Sequence, residues 1–252
     1  MSQQHHGPQT GPRWTDNESA QAPSGSEQPT GGTAPADRLF DTDLPLKPRM
    51  RGWLHAAMVP LALAAGIAVV ALAPTPTLRV AAAVYAITGV LLFAMSATYH
   101  LGRWSPRAAR VLKRLDHTNI LLIIAGTYTP LTLAMLPEPR DTILLSAVWF
   151  GAVGGVAFRL LWTDAPRWLY TIFYIVLGLA AVVFLGDFFA ADTAAALLIC
   201  AGGAAYIIGA VFYAMKRPNL SLQWFGFHEL FHAFTVVGFS CHYIAIVLAM
   251  LD

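Results

Sequence analysis

From Trp53 onward the chain is a series of long apolar runs cut by short polar ones. Seven runs stand out, at about residues 53–73, 79–100, 116–136, 141–162, 168–188, 192–215 and 225–250. Each holds the ~20 residues that a helix needs to cross a ~30 Å hydrocarbon layer at 1.5 Å per residue. No stretch alternates apolar and polar residues as a barrel strand does, and backbone inside lipid must satisfy its own hydrogen bonds, so the runs predict helices. The fifth and sixth runs are nearly continuous; Asp187 and Asp192, flanking residues 188–191, predict the turn between them. The expected fold is therefore all-α, a seven-transmembrane helix bundle. Pro60 and Pro130 fall inside runs one and three and predict kinks. Gly151 and Gly155, four apart, and the pair Gly202 and Gly203 predict close helix contacts. Trp53, Trp104, Trp162, Trp168 and Trp224 sit at run ends, as interfacial anchors do.

Residues 1–36 are rich in Gln, Pro, Gly, Ser and Thr, with Trp14 as their one aromatic residue. Such a segment cannot bury a core, so a disordered polar tail is expected at 1–36 and the seven-helix transmembrane domain at 37–252. No apolar run precedes Trp53, so no signal peptide is expected. Over the whole chain 56% of residues are hydrophobic and 12% charged, about half the charged share of a soluble domain. This excludes a soluble α/β enzyme and a secreted disulfide module. A net charge of +2 is too small to point to a nucleic-acid partner. Cys200 and Cys241 lie within apolar runs and read as small fillers.

The placement of Lys and Arg is more informative than their sum. Lys47, Arg49 and Arg51 precede run one; Arg103, Arg107, Arg110, Lys113 and Arg114 lie between runs two and three. Arg159 and Arg167 flank the turn after run four, and Lys216 and Arg217 follow run six. These twelve share one side of the membrane, against Arg79 and Arg140 on the other. By the positive-inside rule the amino terminus is expected in the cytoplasm and Asp252 outside. The whole suits a multi-pass protein of a prokaryotic plasma (inner) membrane.

On that topology several polar residues share one depth. His100, in SATYH, closes run two at the cytoplasmic side; Asp116, in LDHTN, opens run three there; and His228 and His232, in HELFH, open run seven. The last two are at i and i+4, on one helix face about a turn apart, where two imidazoles can hold one metal ion. Three neutral imidazoles with water in a fourth position form a common zinc pattern. Asp116 is placed to hold that water, to act as general base or to orient an imidazole. Ser96 lies one turn before His100 on the same face, about 6 Å deeper. HELFH also has the spacing of the H-E-x-x-H zincin motif, with Glu229 as base. The alternative for these histidines is ordinary hydrogen bonding across helices. His55, at the same end of run one, joins the site or makes an interfacial hydrogen bond. His117 is turned about 100° from Asp116, toward a neighbouring helix, and Asn119 is expected to support the Asp116 carboxylate. His242 lies about 21 Å farther along run seven than His228 and is expected to hydrogen-bond within the bundle.

SATYH, DHTNILLIIAGTYTP and HELFH, in this order across seven spans, resemble the hemolysin III family, which belongs with the progestin and adipoQ receptors and the adiponectin receptors. The likeness covers about residues 47–250. GWLH around His55 resembles the family's first motif only in part, since the acidic residue and Asn upstream are absent. The resemblance implies a zinc ion near the cytoplasmic face, held by His100, His228 and His232, with Asp116 contacting it through water and Ser96 nearby. The receptors' own likeness to alkaline ceramidases implies hydrolysis of a lipid amide or ester, with a membrane lipid or fatty acyl substrate. The alternative is a non-enzymatic channel, cytolysin or sensor with a structural zinc site.

Overall fold

A computed structural model of the chain describes residues 48–251 apart from 163–166 and 222. The 1–36 tail, Lys47, Asp252 and the side chains of Arg167, Trp168 and Tyr170 lie outside the described residues. Within them the chain is helical: α1 (Trp53–Leu72), α2 (Pro76–Leu101), α3 (Pro106–Met135), α4 (Arg140–Leu161), α5 (Arg167–Gly178), a 3-10 segment (Ala180–Phe184), α6 (Leu185–Ala191), α7 (Thr193–Met215) and α8 (Phe227–Leu251). Seven helical stretches are long and apolar enough to cross a membrane, the fifth being composite. The protein is a multi-pass integral membrane protein. Sequential spans pack side by side, and α8 closes the bundle against α1 while also touching α3.

The helices begin where local chemistry satisfies their first amide groups. Thr75 accepts from Leu78 N at 3.2 Å and Ser105 from Ala108 N at 3.3 Å, each followed by proline at the first helical position. That favours a start. The Ser105–Pro106 start lengthens α3 by ten residues beyond the apolar run beginning at Asp116. Its basic first turns need no lipid, so apolarity alone does not reveal them.

The break between the fifth and sixth spans also differs from expectation. Residues 188–191 belong to α6, and the chain turns at Asp192 alone, whose carboxylate caps α7 by accepting from Ala194 N at 2.7 Å and Ala195 N at 3.2 Å. Asp187 instead pairs with Arg140 of α4. A second irregularity, the 3-10 segment, frees backbone groups that lipid cannot satisfy. Tyr128 of α3 repairs it: its hydroxyl donates to Gly178 O and accepts from Ala181 N, both at 2.8 Å.

Both α1 and α3 run on as helix through Pro60 and Pro130. A Cβ on Gly155 would stand 2.9 Å from Leu121 Cδ1, and one on Gly202 2.5 Å from the His242 ring, so both mark close helix approaches. Gly203 meets nothing within 4 Å. The core gathers around Tyr85, Phe93, Leu121 and Phe239, with Tyr85 and Phe239 stacked at 5.3 Å. Cys200 and Cys241 are free thiols.

Candidate metal centre

Two helix ends meet beside a third helix. The last turns of α2 carry Ser96 and His100, the first two turns of α8 carry His228 and His232, and α3 passes beside them at Asp116. His100, His232 and Ser96 are buried and His228 is half-buried. His100 and His228 face each other with Nε2 atoms 3.1 Å apart. One ring nitrogen from each of His100, His228 and His232 can be chosen so that all three lie within 4.8 Å of one another. The rings are mutually tilted: His100 to His228 by 81°, His228 to His232 by 65° and His100 to His232 by 59°. Asp116 Oδ2 stands 3.9 Å from His100 Nε2, and Ser96 is a polar neighbour of the Asp116 side chain. All five residues are thus brought to one place.

The donor set fits zinc. With Zn–N bonds of 2.0–2.1 Å, tetrahedral geometry sets ligand nitrogens about 3.3–3.4 Å apart. The 3.1 Å separation is also an ordinary hydrogen-bond distance between two imidazoles, so that pair alone decides nothing. The third nitrogen adds to it: ring nitrogens of all three histidines, from two helices, lie within 4.8 Å of one another, a set that could hold one cation. A carboxylate beside His100 adds the oxygen partner that metal-binding histidines commonly have nearby.

The neighbours separate roles that share a sequence motif. Glu229 lies inside HELFH, yet it has no exposed surface and pairs with Arg51 while accepting from Gly226 N at 2.8 Å. Its carboxylate closes the first turn of α8, so the zincin reading with Glu229 as base is wrong. The signal was present in the sequence: a glutamate three residues after the turn residue Gly226 has capping-box spacing. Arg51 is part of a segment tied to the loop before α8, where Arg49 N donates to Gln223 O at 3.0 Å and the Arg49 guanidinium lies 4.9 Å from the Trp224 ring centre.

Gly52, next along, starts α1 with φ +87° and packs directly on His100; a Cβ there would stand 2.8 Å from His100 Cβ. This contact had no sequence signal. His55 is buried against the cluster, its ring stacked on His232 at 3.9 Å and 12°. It lies beside the converging set, stacked on one of its members, and its ring nitrogens have no hydrogen-bond partner among the described residues. His117 does point to a neighbouring helix, its Nδ1 3.3 Å from Arg159 Nη2 of α4. Asn119 reaches across to α2, donating to Leu91 O at 3.1 Å. His242 bonds within its own helix, 2.7 Å from Gly238 O.

A family model described as Haemolysin-III related matches residues 45–243, a range that holds all of these residues. Hemolysin-3 of Bacillus cereus is 29% identical over 178 residues, 70% of this chain and 78% of its own. A Hemolysin-3 homolog of Bacillus subtilis is 27% identical over 165 residues, 65% of this chain and 74% of its own. The heptahelical transmembrane protein ADIPOR2 of rice (Oryza sativa subsp. japonica) is 31% identical over 182 residues, 65% of this chain and 79% of its own. With seven apolar spans, the bacterial relatives point to a plasma-membrane protein. The match spans the bundle from the strap before α1 into α8, and the chain belongs to the haemolysin-III related family.

Proposed function

We propose that the protein is a zinc-dependent, ceramidase-like hydrolase of a lipid amide or ester, with its site at the cytoplasmic side of the membrane. The observation that carries this reading is the convergence of His100, His228 and His232 beside Asp116 and Ser96. These three histidines would hold the ion. When bound, zinc supplies Lewis-acid activation of water and of the scissile carbonyl. Asp116 takes the proton of the attacking water at its carboxylate and returns it to the leaving amine or alcohol. Ser96, a polar neighbour of Asp116, offers its hydroxyl proton to the substrate carbonyl. The cytoplasmic placement, with the amino terminus inside, rests on the excess of Arg and Lys at this end of the bundle.

The test is direct. Purified protein should contain about one zinc per chain by plasma mass spectrometry and release fatty acid from a ceramide-like substrate. Asp116→Ala should keep the metal and lose turnover; His228→Ala should lose both. Zinc loss in His228→Ala with unchanged lipid turnover would sink the enzyme reading.

A second reading makes the protein a channel, cytolysin or sensor in which zinc clamps α2 to α8. It draws on the names of the Bacillus relatives. Liposome flux that survives chelation and Ser96→Ala, without fatty-acid release, would favour it.

A further inference from the structure

His55 is 2% exposed, and its ring nitrogens make no well-formed hydrogen bond among the described residues, although the His232 backbone is a polar neighbour. A buried polar ring without good partners costs stability, so the contribution of this side chain is to be sought in its packing. Its ring lies flat on that of His232, with centroids 3.9 Å apart and planes 12° from parallel, and Phe93 meets it edge to face at 5.1 Å.

The three converging rings are held by different means. His100 has Asp116 Oδ2 at 3.9 Å and Gly52 packed against its Cβ. His228 has the His100 nitrogen at 3.1 Å and Tyr213 edge to face at 5.4 Å. For His232 the described restraint from outside the trio and its own helix is the His55 ring. An imidazole turns freely about its Cβ–Cγ bond unless a neighbour covers its face, and a ligand nitrogen turned away cannot bind.

We propose that His55 is a positioning residue of the metal centre: by covering one face of His232 it fixes the rotation of that ring, so that the ligating nitrogen stays turned toward His100 and His228. The proposal rests on the metal-centre reading above. His55 is not a fourth ligand, since the converging set consists of the other three histidines. Through it, the first span takes part in the site without donating to the ion.

The experiment uses the full chain in detergent and measures zinc affinity by chelator competition, together with the visible absorption of the cobalt-substituted protein. His55→Leu keeps the volume but not the flat ring; His55→Phe keeps the ring but not the nitrogens. His55→Leu is expected to weaken zinc binding about 10–100-fold, the usual range for lost outer-shell support, and to shift the cobalt spectrum. His55→Phe is expected to retain the parent's affinity and spectrum. Parent-like binding in His55→Leu would overturn the proposal, as would His55→Phe being as weak as His55→Leu. Unfolding midpoints of the metal-free variants are read alongside. A lowered midpoint in His55→Leu with an unchanged zinc-induced rise means a merely structural role and also overturns it. If the parent chain binds neither zinc nor cobalt, the metal-centre reading itself fails, a result distinct from all of these.

Discussion

At the end of the bundle where α8 begins, Glu229 has no exposed surface and pairs with an Arg51 that is 19% exposed. At the opposite end, Arg140 and Asp187 make the same kind of pair with 54% and 22% of their side chains exposed. An exposed pair contributes about 0–1 kcal/mol, because water competes for both partners. A buried pair gains little over an apolar substitute, yet breaking it leaves an uncompensated charge and costs about 3–5 kcal/mol. Glycines divide likewise: Gly52 is pressed on His100 with a left-handed backbone, while Gly186 meets nothing within 4 Å. The histidine end is expected to tolerate little change because its parts touch one another; at the other end the ion pair is exposed and Gly186 has open space beside it.

The largest effect that would sharpen this contrast is on metal. His232→Ala is expected to reduce zinc from about one per chain to background, whereas Asp187→Asn leaves it unchanged; metal analysis of the two variants checks both. Next comes Glu229→Ala, expected to destabilise by about 3–5 kcal/mol through the abandoned Arg51 charge, with Gly226 N also left unpaired. Thermal unfolding in detergent reads this, and a loss as small as that of Asp187→Asn would break the comparison. Gly52→Ala is expected to cost about 1–3 kcal/mol for a left-handed non-glycine residue and to weaken zinc binding by displacing His100. Asp187→Asn should cost no more than about 1 kcal/mol. Smallest is Gly186→Ala, a helix position with open space, expected to stabilise by about 0.5–1 kcal/mol in the same unfolding assay.

The legible part of the fold was the part that lipid dictates. A span must be long and apolar, and the seven runs mark where the chain crosses. The start of α3 at Pro106 was hidden because a basic helix outside lipid needs no apolar signature. The composite fifth span was hidden because its freed backbone groups are satisfied by Tyr128, a residue some fifty positions away in sequence. At the site, His228 and His232 were readable as a pair because helix periodicity places i and i+4 on one face. The HELFH motif by itself does not say that Glu229 faces Arg51, because a pattern states spacing and not which way each side chain turns. Asn119 likewise sits near Asp116 in sequence but spends its amide on Leu91 O of α2.

By itself, then, the amino-acid order determined how many helices are long and apolar enough to cross a membrane and how far along each helix every polar side chain lies, since rise per residue and hydrocarbon thickness are properties of helix and lipid alone. Only the tertiary structure decided which of those side chains meet. The rotation of each helix about its own axis is set by packing against its neighbours. That rotation brings His100 to His228, lays His55 flat on His232 and turns Glu229 away from all of them.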